Sequence, residues 1–526
     1  MIKRSAISAK NGMVATSEPQ AADRGLEVLK KGGNAVDAAI AVAACLTVTE
    51  PTSNGIGGDN FAMVWMNGEL HGMNASGFSP KALSLDALKE RNIHEIPKFG
   101  CVPITVPGAV KGWVALHQRF GKLPFADVLR PAIDLATQGF KVQKTIAKYW
   151  KIAAKTYQKE MHPDDIKPWL DTFLIDGLPP FEDQVVRLLD HAKTLEDIAN
   201  TQGASFYTGE LANKIDSHLK KIGGFLTKED LRLFDVEWVK PLKTIYRGYA
   251  IHELPPNGQG LVALLALNIF QELTIDLTDK VDYLHKSIES IKLAFSDGLE
   301  YISDPAFMKT GVSSLLSPSY AKNRASLIGE HALLPKEGRP EDYGTVYLAT
   351  ADSDGNMVSM IQSNYMGFGS GIVVPNTGIA LHNRGHNFSL QPNHDNRLEP
   401  LKRPYHTIIP GFITKDKVAL GPFGVMGGFM QPQGHFQVIS HMLDNGLDPQ
   451  AALDQPRYQW MDQINLTCEP NFPEEWRDGL IKKGHHMVVD PNIGSFGRGQ
   501  IIIRDPIHRD YFGGTEKRCD GKIATY

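Results

Sequence analysis

Thr345-Val-Tyr-Leu-Ala-Thr-Ala351, Asp352-Ser-Asp-Gly-Asn356 and Met357-Val-Ser-Met-Ile-Gln-Ser-Asn364 read as strand, turn and strand. β-Branched and aromatic residues fill the first segment, and the second has the composition of a turn. With Asp352–Asn356 as the loop, Ala351 pairs with Met357. Each step outward then brings Ala349 to Ser359, Tyr347 to Ile361 and Thr345 to Ser363. Residues directly opposite on one face of a sheet have Cβ atoms roughly 5 Å apart, so this register sets the Ser363 hydroxyl beside the first residue of the strand. A slip of one residue would send Ser363 to the other face.

The residues just before this hairpin give it a chemical meaning. Leu316 to Tyr343 is polar, with Pro335, Gly338 and Pro340 close together, and predicts a surface loop that ends at Gly344. A hydroxyl is a poor nucleophile without a base beside it. A threonine that begins a chain carries its own base, the α-amino group. That amine has an ordinary pKa of roughly 7.7–8, so part of it is unprotonated near neutral pH. While bonded to Gly344 the nitrogen is an amide, so scission of Gly344–Thr345 is the switch. Gly344 suits such a bond because glycine tolerates conformations that other residues resist. Gly-Thr before a strand is common, and spacing alone does not separate this reading from an ordinary loop end.

Outward from the hairpin, Ala22, Leu26 and Leu29 recur at helical spacing after Ser17 and Pro19, and Gly32-Gly33 stop that helix. Asn34 is placed to cap the next one, whose Ala35–Leu46 run is alanine-rich and apolar nearly all round, as in a helix buried against a sheet. Asn60–Met66 and Glu69–Met73 predict strands across an Asn67-Gly68 turn. The middle of the chain is mainly helical, with its clearest periodicity in Leu129–Thr137, Leu261–Leu273 and Val281–Tyr301.

Composition narrows the class. The 526 residues are 42% hydrophobic and 22% charged, as in a globular protein, and suffice for two domains or one large layered enzyme fold. A net charge of −4 without a basic stripe predicts no nucleic-acid partner. The N-terminus has no apolar stretch after its basic residues, and the run Ala35 to Val48 is too short to span a bilayer. No membrane association and a cytoplasmic location are the expectation. Cys45, Cys101, Cys468 and Cys519 are scattered, with no metal cage implied, and Cys45 is expected in the core. Ser53-Asn-Gly-Ile-Gly-Gly-Asp59 lacks the Lys-Ser/Thr pair of a phosphate loop. His382 and His386 sit in strand-and-loop context, and His485-His486 reads as a polar turn. Neither a metal nor another cofactor is expected.

Three N-terminal stretches carry a family resemblance: Gly12-Met-Val-Ala-Thr-Ser-Glu-Pro19, Gly25-Leu-Glu-Val-Leu-Lys-Lys-Gly-Gly-Asn-Ala-Val-Asp-Ala-Ala39 and Glu50-Pro-Thr-Ser-Asn-Gly-Ile-Gly-Gly58. Together they resemble the opening of γ-glutamyltransferases, also called glutathione hydrolases. The resemblance resumes at Thr345, and Asp354-Gly-Asn356, Phe368-Gly-Ser-Gly371 and Gly427-Gly428 fall in the family's order. It implies an α/β fold of the N-terminal nucleophile hydrolase type, a four-layer αββα sandwich. Autocleavage would give a large subunit Met1–Gly344 and a small subunit Thr345–Tyr526 that build one fold. A homodimer of that processed heterodimer is a further expectation. By the same resemblance Thr345 matches the nucleophile and Ser363 a hydroxyl supporting its amine. Gly427 and Gly428 match the pair whose N–H groups hold the oxyanion, donors worth roughly a hundredfold or more each.

This chain departs from the family's binding residues. Ser76 stands where an arginine for the substrate α-carboxylate is usual, and Asn387 replaces an aspartate for the substrate ammonium. The family's paired serines fall on His406 and Thr407, an expected asparagine is Tyr365, and an expected glutamine is Arg384. Losing the aspartate weakens the grip on an ammonium group. Arg384 either supplies the carboxylate clamp from another direction or pairs with a neighbouring acid. Phe388 to Pro404 is short beside the family's lid-bearing members, so an open site and hydrolysis rather than transfer are expected. Such a site would admit bulkier acyl or leaving groups; the expected small-molecule substrate is a γ-glutamyl amide, and the alternative is a glutaryl or cephalosporin-type acylase. An unprocessed binding protein that kept the fold without activity is the reading of a different class.

Overall fold

The computed structural model describes residues 4–335 and 345–526. Thr345 opens onto a seven-stranded sheet in the order Lys522–Thr525, Met13–Thr16, Val346–Ala351, Met357–Ser363, Asp59–Met66, Glu69–Ala75, Glu237–Val239. All neighbours in it are antiparallel. A second seven-stranded antiparallel sheet runs Ile7–Ala9, Tyr511–Thr515, Arg498–Arg504, Val418–Met426, Gly411–Lys415, Tyr249–Glu253, Leu242–Tyr246. Strands from either side of the Gly344–Thr345 bond interleave in both sheets, so the two chain segments share one fold.

The sheets face each other across an apolar seam that includes Met13, Phe61, Tyr347, Ile361, Phe412 and Ile502. Helix Ala35–Thr49 covers the outer face of the first sheet, and every residue in it is buried. Its start is fixed twice over. The Asn34 side chain accepts from the Val36 and Asp37 N–H groups, and the Asp37 carboxylate accepts from the Asn34 N–H at 3.1 Å. The Thr350 hydroxyl then donates to Ala35 O at 2.7 Å, tying the helix to the nucleophile strand. Helices Gly260–Gln271, Lys280–Tyr301 and Met430–Leu443 cover the second sheet, completing four layers. Small residues make these approaches possible: a Cβ on Gly25 would lie 2.4 Å from Val42 Cγ2. The Asn67-Gly68 turn joins its strands with both residues at positive φ, 54° and 79°.

One expectation fails. Leu316–Tyr343 is not wholly a loop, because Pro318–Ala325 forms a helix with Ser317 as its cap and Pro318 in the first turn. Ser-Pro is a helix-start signal, and it lies upstream of the Gly and Pro residues that give the segment its loop composition. Residues 336–343 of that segment, and Gly344, lie outside the described residues. Among the described residues, no helix is long and apolar enough to cross a membrane.

Candidate active site

The hairpin adopts the register expected from its turn. Ala351 faces Met357, Ala349 faces Ser359 and Tyr347 faces Ile361. Val346 faces Gln362, so Thr345 heads the strand across from Ser363, and its Oγ1 donates to Ser363 Oγ over 3.3 Å. Both residues are buried. The Tyr365 N–H also donates to Ser363 Oγ, at 2.7 Å, which requires the chain to turn sharply after the strand. Tyr365 accordingly sits at φ 75°. For a bulky residue this costs on the order of 1–3 kcal/mol and persists only where the surroundings impose it. The Gly55–Gly58 loop is part of those surroundings. A Cβ on Gly58 would lie 2.6 Å from Ser363 O, so only glycine lets the loop close over the strand end.

Beyond Tyr365 the site is polar. The Arg384 guanidinium lies over the Tyr365 ring, 4.3 Å from its centroid, and its Nη1 donates to Thr407 Oγ1 at 2.7 Å. Arg384 is wholly buried, and burial pulls its pKa down to about 10. Among the described residues its Nε and Nη2 have no hydrogen-bond partner. The Tyr365 hydroxyl donates to Asn387 Oδ1 at 2.5 Å, while Asn387 Nδ2 donates to Tyr405 O at 2.9 Å. His406 does not face this group directly. Its Nε2 bonds Asp59 Oδ2 at 2.8 Å, and His382 Nδ1 approaches the same oxygen at 3.3 Å. Burial pushes the Asp59 carboxyl up, but His382, the His406 hydrogen bond and Arg384 outweigh it and hold Asp59 below its ordinary range. Burial takes His406 down to about 3, and burial also lowers His382, so the Asp59 carboxylate lies between two imidazoles of reduced basicity. Asp59 is also the ladder neighbour of Ser363. It is the negative charge that the buried Arg384 senses without touching.

Gly427 and Gly428 end the strand Val418–Met426 and precede the helix Met430–Leu443, with φ 137° and 56°. Side chains resist that backbone, and it turns the two N–H groups out of the ladder. Among the described residues neither N–H donates to another protein group. Gln259 braces the turn, donating from Nε2 to Gly428 O at 2.9 Å and to Thr407 O at 2.6 Å. It thereby links the glycine pair to Arg384's anchor. Ser76 lies apart: its hydroxyl donates to Asn74 Oδ1 at 2.7 Å, within a buried network with Asn257. Asn257 ties this network to the site, donating from Nδ2 to Pro404 O at 2.8 Å and accepting at its backbone carbonyl from the His406 N–H at 2.9 Å.

The sequence pattern of the gamma-glutamyltranspeptidase family matches residues 21–526. The chain belongs to that family. It is 36% identical over 534 residues to the glutathione hydrolase-like YwrD proenzyme of Bacillus subtilis (strain 168), covering 99% of both. It is 31% identical over 500 residues to the acylase ACY 1 proenzyme of Pseudomonas sp. (strain V22), covering 92% of this chain and 88% of that one. The crystal structure of cephalosporin acylase from Bacillus halodurans superimposes with a TM-score of 0.97 at 54% identity, over 100% of this chain and 98% of that one. This family member is therefore an amidohydrolase of the γ-glutamyl hydrolase or acylase type on an N-terminal nucleophile hydrolase fold.

Asp59, His382 and Gln259 were missed as parts of the site. Asp59 closes the Gly-rich stretch that was weighed only as a phosphate loop, while His382 and Gln259 meet their partners from far along the chain. His485 is also not in a polar turn. It is buried, its Nε2 is 2.9 Å from His285 Nδ1 and 3.7 Å from Glu289 Oε1, and these side chains form a cluster of metal-ligand type. The Lys292 ammonium already occupies the carboxylate, at 2.7 Å from Glu289 Oε1.

Proposed function

We propose that the precursor cleaves itself between Gly344 and Thr345, and that the freed Thr345 hydrolyses amides whose acyl group ends in a carboxylate, γ-glutamyl amides first among them. The observation that carries this is the Thr345–Ser363 contact at 3.3 Å, at the head of a buried strand. Thr345 Oγ attacks the amide carbonyl carbon and the α-amine takes its proton, with Ser363 orienting that amine. The Gly427 and Gly428 N–H groups receive the developing oxyanion. The C–N bond then breaks, the amine returns the proton to the leaving nitrogen, and an ester to Thr345 remains. Water cleaves the ester with the same amine as base. Arg384, with donors to spare, takes the distal carboxylate.

N-terminal sequencing and a γ-glutamyl anilide assay test this directly. Two polypeptides, the smaller beginning Thr-Val-Tyr, with activity lost in Thr345→Ala, are the expected result. An active enzyme with an unbroken backbone at that junction overturns the mechanism, and one inert 58.0 kDa band after long incubation supports the binding-protein reading instead.

Asn387 favours a second reading. An amide already engaged with Tyr365 and Tyr405 has no charge to hold a substrate ammonium. A glutaryl group, which lacks that ammonium, then fits as well as γ-glutamyl. A higher kcat/KM for glutaryl anilide than for γ-glutamyl anilide would make the protein a glutaryl-type acylase.

A further inference from the structure

Gly427 also stands in the wall of a cavity of about 360 Å³ that Arg384 does not line, a volume typical of small-molecule sites. Phe99, Tyr149, Ile152, Ala153, Tyr157 and Met366 supply the apolar part of its wall. Of its polar side chains, Tyr157 and Arg498 are engaged, while among the described residues the Thr52 hydroxyl has no hydrogen-bond partner. The Tyr157 hydroxyl donates to Met366 O at 3.3 Å and Gly369 O at 3.1 Å, which leaves its ring to face the space, edge-on to Phe99 at 5.1 Å. Arg498 lines the cavity but donates to Glu50 Oε1 at 3.3 Å, and its guanidinium lies 5.3 Å from the centre of the Tyr149 ring. The cation is thus engaged by Glu50 and partly covered by an aromatic face.

The place of this cavity gives it a role. Gly427 is in its wall and Met366 directly follows Tyr365, whose N–H holds Ser363. Ser53, also in the wall, accepts from the Asn364 N–H at 3.3 Å, so the cavity borders the end of the strand that supports Thr345. A carbonyl held at the Gly427–Gly428 N–H groups has two substituents that diverge from its carbon. Arg384 has donors for a charged terminus, and the cavity that Gly427 borders is largely apolar.

We propose that this cavity is the leaving-group pocket, and that the natural substrates are amides of apolar, aromatic amines. The assignment rests on the acyl-transfer reading above. The pocket holds the ring of the departing amine while the carbonyl oxygen lies at the oxyanion turn and the leaving nitrogen faces the Thr345 amine that protonates it. Selectivity for the amine then comes from buried ring area, with no ion pair required.

Ala153→Phe and Thr156→Trp fill the cavity from one helix wall. For each, kcat/KM is measured on γ-glutamyl and glutaryl amides of ammonia, methylamine, aniline and 2-naphthylamine. Taking each variant as a ratio to the unaltered enzyme cancels the intrinsic reactivity of each amide. The naphthylamide is expected to lose roughly 10- to 100-fold more than the primary amide, the span for one aromatic ring deprived of burial. An equal loss across the series, or none in either variant, overturns the pocket assignment while leaving the catalytic reading standing. If no amide is cleaved, the catalytic reading fails, and the cavity is judged by calorimetry with free 2-naphthylamine. Binding abolished by Ala153→Phe keeps the aromatic pocket, and absence of binding removes it.

Discussion

Two sets of buried arginines in this molecule look alike in burial and differ in company. Arg457 and Arg518 are packed out of solvent near the chain's end, and their donors are well used. Arg518 bonds Glu469 through Nε at 2.6 Å, Glu516 at 2.5 Å, and the carbonyls of Leu453 and Gln455 at 2.9 Å. Arg457 pairs with Glu516 at 2.8 Å and donates to Phe496 O and Gly497 O. Arg384 is as deeply buried yet has one side-chain hydrogen bond, to Thr407, and two nitrogens without partners among the described residues. Burial takes the pKa of both Arg457 and Arg384 down to about 10, so charge state does not separate them. Hydrogen-bond saturation does. A buried donor left unmatched costs roughly 1–3 kcal/mol, and more when charged, unless a ligand completes it.

The comparison predicts opposite phenotypes. Arg518→Met strands two carboxylates in the interior, and about 3–5 kcal/mol of stability should be lost, read as a fall in thermal midpoint, with kcat/KM of the folded fraction unchanged. Arg384→Met should reverse the pattern. Among the described residues no carboxylate touches Arg384, so stability changes by less than about 1 kcal/mol, while kcat/KM for γ-glutamyl or glutaryl anilide falls roughly 100- to 1,000-fold. Butyryl anilide, which has no distal carboxylate, is the control and should be nearly unaffected. Destabilisation by Arg384→Met equal to that of Arg518→Met, with acyl preference intact, would make Arg384 a structural arginine like the others.

Arg498 sharpens the contrast, since it stands between these cases with one carboxylate contact, to Glu50 at 3.3 Å. That single contact does not offset desolvation, and burial raises the Glu50 carboxyl from 4.5 to about 7. The folded protein therefore holds this proton more tightly than the unfolded chain does. Stability from this group is greatest below about pH 4.5 and is lost as pH rises through about 7. The difference of about 2.5 pH units corresponds to an upper bound of about 3 kcal/mol between pH 4.5 and 8. Thermal midpoints of Glu50→Gln across that range should lack this slope, and an unchanged slope would show that Glu50 is already ionised at pH 5.

How much of this was legible in the sequence depends on how far apart the partners lie. The Thr345–Ser363 pair was readable because one turn fixes the register of a hairpin, and each partner is then found by counting outward. The capped helix at Asn34 and the Gly427-Gly428 turn are likewise local signals. The Asp59–His406 pair joins positions separated by 347 residues, and His285–His485 by 200, so no periodicity announces either. Arg384 lies between these cases. The sequence showed a cation in an unusual place but left open whether it clamps a ligand or pairs with an acid. Only the packing shows that Asp59, the acid whose charge Arg384 senses, is bound to an imidazole instead.

The smallest predicted effect tests how Arg384 is aimed. Thr407→Val keeps the shape of the side chain and removes the one hydroxyl that fixes Nη1, at 2.7 Å. The Tyr365 ring, at 4.3 Å from the guanidinium, remains as a flat support but does not set rotation about the guanidinium axis. The arginine keeps its charge and loses its orientation, so the carboxylate is still attracted but is less often met by a pair of donors. About a tenfold rise in KM for γ-glutamyl anilide is expected, with kcat changed by less than about threefold, because Thr345 and the glycine turn are untouched. A fall in kcat with KM constant would instead place Thr407 in the chemical step, acting through Gln259 on the Gly428 turn that both residues share.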